Sequence, residues 1–284
     1  MSHALNFINQ QLSQQPKVDL YFESVALEWR QLYRNRDLKS EIFSYRQALA
    51  LNWIAESVSL ANSEVLDVGC GAGPATVALA QRGARVKAID TVARMVSLTN
   101  QSASEAGVRD LVEASVGDIH SLNFADNSFD AAVVIGVIYW LHSPKQALSE
   151  VFRVLKPGGY LAVSADNAQR ITYTADPAHL PWILALRRRA GRLLRRLGWR
   201  KDVATIPVNR YSTDEFDRLI ASVGFRTVKQ MTVGFGPFSF CECRFIPDAV
   251  GVKLHGFLQR LAQRGFRPVV GRGNHYVVLA QKPF

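Results

Sequence analysis

The sequence predicts an α/β fold, a doubly wound and mostly parallel sheet of seven strands with helices on both faces, an N-terminal helical cap and helical insertions. Three observations carry this. From Glu64 onward, short apolar runs alternate with stretches of helical periodicity, the pattern of crossovers that build parallel sheets. A glycine-rich turn, Gly69-Cys70-Gly71-Ala72-Gly73, stands where the first strand hands over to a helix. And 284 residues, 48% hydrophobic and 20% charged, suffice for one large core with additions.

Residues 1–61 read as the helical cap, because Tyr21, Phe22, Val25, Trp29 and Tyr33, then Ile42, Phe43, Leu49 and Trp53, recur at helical spacing. Residues 62–166 read as the α/β core. Its strands are expected at Val65–Val68, Arg85–Ile89, Val112–Val116, Phe129–Ile135 and Tyr160–Ser164, with helices at Pro74–Arg82, Val92–Ala106 and Pro144–Val154. Pro74 and Pro144 suit first helical positions, where a missing N–H costs nothing. Pro157, Gly158 and Gly159 turn the chain into the fifth strand. Residues 167–210 break the alternation and hold a basic helical insertion, with Pro181–Trp199 as its helix. Residues 211–284 complete the sheet. A capping box from Ser212 to Glu215 opens a helix that stops at Gly224, followed by a strand (Arg226–Val233), an apolar loop (Gly234–Phe240), a helix (Ala249–Arg264) and a last strand (Tyr276–Ala280).

The longest apolar run, Ala131–Leu141, has 11 residues, whereas a membrane-spanning helix needs about 20. Met1–Gln15 has neither a basic start nor an apolar stretch, so no export is expected and the protein is read as cytoplasmic, peripheral to a membrane at most. Cys70, Cys241 and Cys243 are too few for a disulfide framework and lack the further ligands of a zinc site; reduced structural cysteines and no metal are expected. The net charge of +10 is local: positions 187–201 hold eight basic residues and no acid, and without them the charge falls to +2. That basicity speaks of a partner or substrate rather than of the fold.

The ligand chemistry follows from the loop. A dinucleotide fingerprint needs G-x-G-x-x-G, but counting from Gly69 puts Pro74 at the third glycine and counting from Gly71 puts Thr76 there. Asp67, two residues before the first glycine, would repel a pyrophosphate and attract an ammonium group. The N–H groups at the helix start favour a carboxylate. A ligand with both groups fits better than a dinucleotide.

Asp67-Val68-Gly69-Cys70-Gly71-Ala72-Gly73 resembles the D-x-G-x-G-x-G loop of the class I S-adenosylmethionine-dependent methyltransferases of the small-molecule type, and with it the later landmarks Ser128-Phe129-Asp130 and Arg153 to Gly159. The match covers about residues 63–166. The resemblance implies a Rossmann-like sheet, S-adenosylmethionine as cofactor, and a cofactor site of Asp67, Gly69, Gly71, Gly73, Asp90 (ribose hydroxyls), Asp118 and Ile119 (adenine). Cys70 and Asp130 read as structural.

The acceptor side is expected after the fourth strand. Many relatives carry a Leu-His-His sequence there, and this chain has Tyr139-Trp140-Leu141-His142 instead, which removes two histidine bases. Tyr139 and His142 are the remaining catalytic candidates; His142 is either a base or a solvated loop residue, and His120 reads as a surface residue. Trp140, Tyr21 and Phe238 are expected to face the acceptor, although the N-terminal aromatics and the phenylalanine loop would serve equally as helix packing. Neither an Asn-Pro-Pro-aromatic signature nor a Pro-Cys nucleophile occurs, so nucleic-acid bases are disfavoured as substrates. The expected reaction is methylation, at a hydroxyl or carboxyl oxygen, of a small, partly apolar molecule; the alternative is a lipid or quinone intermediate at the membrane surface. The Arg187 to Lys201 segment then serves as a solvated lid, a contact with an anionic membrane, or a dock for an acidic carrier protein. A NAD-dependent oxidoreductase and a cofactor-binding scaffold are the remaining rivals. The oligomeric state is not legible.

Overall fold

The computed structural model describes residues 14–174, 208–240 and 246–284, with isolated positions 183, 185, 189, 206, 243 and 244 between them. The predicted basic helix, and with it nearly all of the Arg187 to Lys201 segment, lies outside the described residues. The predicted cap is two helices, α1 (Gln14–Leu32) and α2 (Leu38–Ser57). The break between them is set by Asp37, whose carboxylate accepts from the Ser40 N–H and caps α2.

The core then runs β1 (Glu64–Val68), α3 (Pro74–Ala80), β2 (Arg85–Asp90), α4 (Ala93–Glu105), β3 (Val112–Val116), β4 (Phe129–Val134), α5 (Pro144–Val154) and β5 (Leu155–Asp166). After the insertion come α6 (Thr213–Val223), β6 (Arg226–Val233), α7 (Asp248–Gln263) and β7 (His275–Gln281). One seven-stranded sheet results, in the order β3-β2-β1-β4-β5-β7-β6. Only β7 runs antiparallel to its neighbours. A two-rung ladder joins Ser239–Phe240 to Cys243–Arg244.

Strand alternation sorts the core onto two faces. Leu66, Val68, Ala132 and Val134 meet Leu148 and Val151 of α5 and Phe216 and Ile220 of α6. Val65, Ala131 and Val133, one step out of phase, meet Leu51 and Ile54 of α2 and Leu79 of α3. Strands covered on both faces read as continuous apolar runs, which is why β4 was visible as one.

The fifth strand is longer than its sequence pattern. Phe129 pairs with Leu155 but Ala131 pairs with Tyr160, so Lys156 to Gly159 bulge out of the ladder. The predicted turn is therefore an excursion within β5. A Cβ on Gly159 would stand 2.8 Å from the Lys156 carbonyl oxygen, so no other residue fits there.

The capping box is formed as predicted: Ser212 accepts from the Glu215 N–H, and the Glu215 carboxylate accepts from the Ser212 N–H. Ser212→Ala is expected to cost about 1 kcal/mol, read as a fall in melting temperature of roughly 2–4 °C. An unchanged melting curve would mean that burial of Phe216 and Ile220 alone holds α6.

Candidate functional site

Strand order reverses between β1 and β4, and open α/β sheets bind ligands beyond the carboxyl ends of their strands at such a point. A cavity of about 1060 Å³, counted to its open mouth, lies there. Helix α1 forms its roof, contributing Gln15, Val18, Phe22 and Trp29. The roof is tied down by three contacts: Gln14 to the Trp140 carbonyl (2.8 Å), Asp19 to the Thr91 hydroxyl (2.7 Å) and Arg30 to Glu105 (2.6 Å).

The floor is the glycine loop. The N–H groups of Gly69 and Cys70 both donate to the Ile89 carbonyl, anchoring the turn on β2. Gly69 has φ 67°, and a Cβ there would lie 2.3 Å from a Val137 methyl, so both conformation and space demand glycine. Asp90, at the end of β2, accepts from the N–H groups of Gly71 and Val92, each at 3.0 Å. Gly73 serves differently from expectation. It does not line the cavity; as the N-cap of α3 it lets α4 approach, with the Thr99 Cα 3.0 Å from where a Cβ would stand.

Two acids face this loop without a cation paired to them among the described residues. Asp67 is 3% exposed and accepts from the Thr76 hydroxyl at 2.5 Å; burial pushes its carboxyl up to about 6, against the opposing Thr76 bond. Burial also raises the Asp90 carboxyl, opposed by the Val92 and Gly71 N–H groups. A cationic group on the ligand would relieve both.

On the rim, Asp118 and Ile119 line the cavity after β3. Asp118 accepts from the His120 N–H (2.9 Å) and from His120 Nδ1 (2.7 Å). His120 is buried rather than on the surface, because its ring is clasped between that carboxylate and the ring of His142, stacked at 3.9 Å. His142 itself is exposed and lies outside the cavity lining, which removes it from the position of a base.

Tyr139 and Trp140 form part of the cavity wall. The Trp140 indole N–H is buried without a partner. Tyr21 stands behind this wall, its ring 6.0 Å from Trp140, and is itself 40% exposed. Phe238 does not line the cavity. Its loop is held by packing on α2, where a Cβ on Gly234 or Gly236 would strike Ile42 or Leu38, and by the Phe235 N–H donating to the buried His255. Helix packing is therefore the use of that loop.

Sequence reading missed Arg46. It is 2% exposed, lines the cavity and stacks 4.5 Å from the Phe43 ring. Its Nε and Nη1 have no hydrogen-bond partner, and no carboxylate ion-pairs with it among the described residues. The signal was present: Arg46 sits four residues after Ile42 and four before Ala50, on the buried stripe of α2. A buried guanidinium with two idle N–H groups in a cavity wall is a site for an anion.

Among the described residues no cluster of His, Cys, Asp and Glu could hold a metal ion, and no helix is long and apolar enough to cross a membrane.

Comparison with known proteins agrees with this geometry. Residues 66–163 match the family model described as a methyltransferase domain. The chain is 36% identical over 107 residues to a biotin biosynthesis bifunctional protein of Teredinibacter turnerae, covering 35% of this chain and 19% of that one. It is 30% identical over 152 residues to the ubiquinone biosynthesis O-methyltransferase of Pseudomonas entomophila, covering 54% of this chain and 63% of that one. The chain thus spans less than two thirds of the curated relatives it matches first. Its fold is similar to that of magnesium protoporphyrin IX methyltransferase from Synechocystis PCC 6803 with bound S-adenosylhomocysteine, at a TM-score of 0.62, 14% identity, and coverage of 95% of this chain and 100% of that one.

Proposed function

We propose, from a chain whose residues 66–163 match a methyltransferase domain, that the protein is a class I S-adenosylmethionine-dependent enzyme that methylates a hydroxyl or carboxyl oxygen of a small, partly apolar molecule. The observation that carries this reading is the presence of both charge types in one cavity: Asp67 and Asp90 at the strand ends beside the glycine loop, and Arg46, with two idle N–H groups, on α2. That set fits a ligand with both an ammonium and a carboxylate, as S-adenosylmethionine has. The cofactor supplies, when bound, a methyl group on a sulfonium, already activated for transfer.

The chain's own residues do the rest. Arg46 holds the carboxylate, and the turn at Gly69 and Gly71 lets the backbone approach the ligand. Asp90 takes the ribose hydroxyls with the oxygen capacity left beyond its two N–H bonds, and Asp118 and Ile119 take the adenine. Tyr139 and Trp140 exclude water from the transfer region, and the Trp140 N–H offers one donor to an acceptor oxygen. Among the described residues no histidine lines the cavity, so catalysis is read as resting on alignment and water exclusion, which suits an acceptor oxygen that is already ionised. The curated relatives named for ubiquinone biosynthesis support oxygen as the acceptor atom.

Asp90→Ala is expected to lower affinity for S-adenosylhomocysteine by about tenfold to a hundredfold, one charged hydrogen bond's worth. Titration calorimetry against both S-adenosylhomocysteine and NADH reads it; preference for NADH in the parent protein would remove the whole reading. The acceptor class is tested by transferring labelled methyl from S-adenosylmethionine into extract of the source cells and partitioning the products. Label in water supports a polar acid or carrier-bound acceptor in the cytoplasm, with Arg187 to Lys201 docking an acidic carrier. Label in the organic phase supports the second reading, a lipid or quinone intermediate, with that segment against an anionic membrane. No transfer at all would leave a cofactor-binding scaffold.

A further inference from the structure

The outer face of α7 and the turn after it carry a surface that the cofactor site does not use. Gly251, His255 and Gln259 are the buried stripe of α7. On the opposite side run Val250, Lys253, Phe257, Arg260 and Arg264, all exposed, and the turn adds Phe266, Arg267 and Val270. Four of these are large apolar side chains left open to water: Val250 at 54%, Phe257 at 52%, Phe266 at 51% and Val270 at 46%. From Asp248 to Arg272 there are five cations and one acid, Asp248 itself at the first turn of α7. None of the five cations forms an ion pair among the described residues. Helix surfaces facing water alone do not interleave phenylalanine with unpaired arginine.

Position adds direction. β6 runs parallel to β1, and β7 antiparallel, so α7 leaves and rejoins the sheet at the carboxyl edge, the edge that holds the cavity. Arg272 accepts from the Ile171 N–H beside the end of β5.

We propose that this face docks the protein on an anionic lipid surface, with Phe257 and Phe266 entering the headgroup layer and Lys253, Arg260, Arg264 and Arg267 against the lipid phosphates. Charge complementarity selects the occupant. The patch is apolar and basic together, and a bilayer of anionic lipid presents apolar depth beneath negative charge. The residues of this face are other than Arg187 to Lys201, and its occupancy does not depend on which acceptor is methylated.

The test is co-sedimentation of the full chain at low salt with vesicles of phosphatidylglycerol mixed into phosphatidylcholine, against vesicles of phosphatidylcholine alone. Binding is expected to the anionic vesicles, to weaken with added salt, and to fall at least about tenfold in Arg260→Glu/Arg264→Glu and in Phe257→Ser/Phe266→Ser. Both variants lie away from the cavity, so S-adenosylhomocysteine affinity is expected to stay unchanged, which separates this surface from the cofactor site and certifies the fold. Retention in the supernatant with every vesicle, the result expected of a protein-docking face, overturns the proposal. So does anionic binding that both variants leave intact, which would put the contact on another part of the chain.

Discussion

Arg46→Met is expected to lower the affinity for S-adenosylhomocysteine a hundredfold or more while leaving the unliganded protein as stable as before, or more so. The two effects have opposite signs because one side chain has two environments. In the unliganded protein the guanidinium is buried with Nε and Nη1 unpartnered, a state that costs free energy, and its contact with the Phe43 ring offsets only part of that. An unbranched apolar side chain of similar length keeps the packing on α2 and removes the unpaired charge, a change that is often neutral or stabilising. In the liganded protein the idle N–H groups meet a carboxylate. Each charge-assisted bond is worth about 1.5–3 kcal/mol, so losing two reaches at least a hundredfold in affinity. Titration calorimetry and thermal unfolding of the same preparation measure both signs. Affinity within twofold of the parent would sink the assignment of Arg46 to the ligand's carboxylate. A large drop in unliganded stability would instead make Arg46 a structural arginine.

The sheet was legible because its signals are local. A change of hydrophobic period at Glu64, glycines 69 and 71 at a strand end, and the Ser212 to Glu215 box each specify backbone within a few residues, and the tertiary structure agrees with them. What the sequence missed or left open has another cause. Gly73, His120, His142, Phe238 and Arg46 are residue types whose role depends on what arrives from elsewhere in the chain: Thr99 against Gly73, the Asp118 carboxylate against His120, α2 under the phenylalanine loop. An arginine in an amphipathic helix ordinarily belongs to the wet face, and only the phase of Ile42, Arg46 and Ala50 on one stripe argued otherwise. The bulge in β5 was hidden for a related reason, since Pro157, Gly158 and Gly159 mark a turn but not whether the ladder resumes on both sides of it.

Asp67→Asn is expected to stabilise the unliganded protein at neutral pH by about 3 kcal/mol and to leave it nearly unchanged at acid pH. Burial raises the Asp67 carboxyl from 3.8 to about 6 in the folded state, a penalty on the charged form of about 1.4 kcal/mol per unit. The sign follows from proton binding: between these two values the folded state holds a proton that the unfolded state has released. Stability from this group is therefore full below pH 4 and lost as pH rises through about 6. Asparagine is neutral throughout, and its carbonyl still accepts from the Thr76 hydroxyl, so parent and variant converge below pH 4, separate between about pH 4 and 6, and stay fully separated above it. Denaturant unfolding at about pH 3 and pH 7.5 reads the difference, about zero at the first and about 3 kcal/mol at the second; equal differences at both would mean that the carboxyl titrates normally. The same substitution is expected to weaken cofactor binding, because the buried negative charge that destabilises the empty site is the one that an ammonium group neutralises. Asp67 and Arg46 thus act alike within one cavity: each destabilises it when empty, and each is relieved by one end of the ligand.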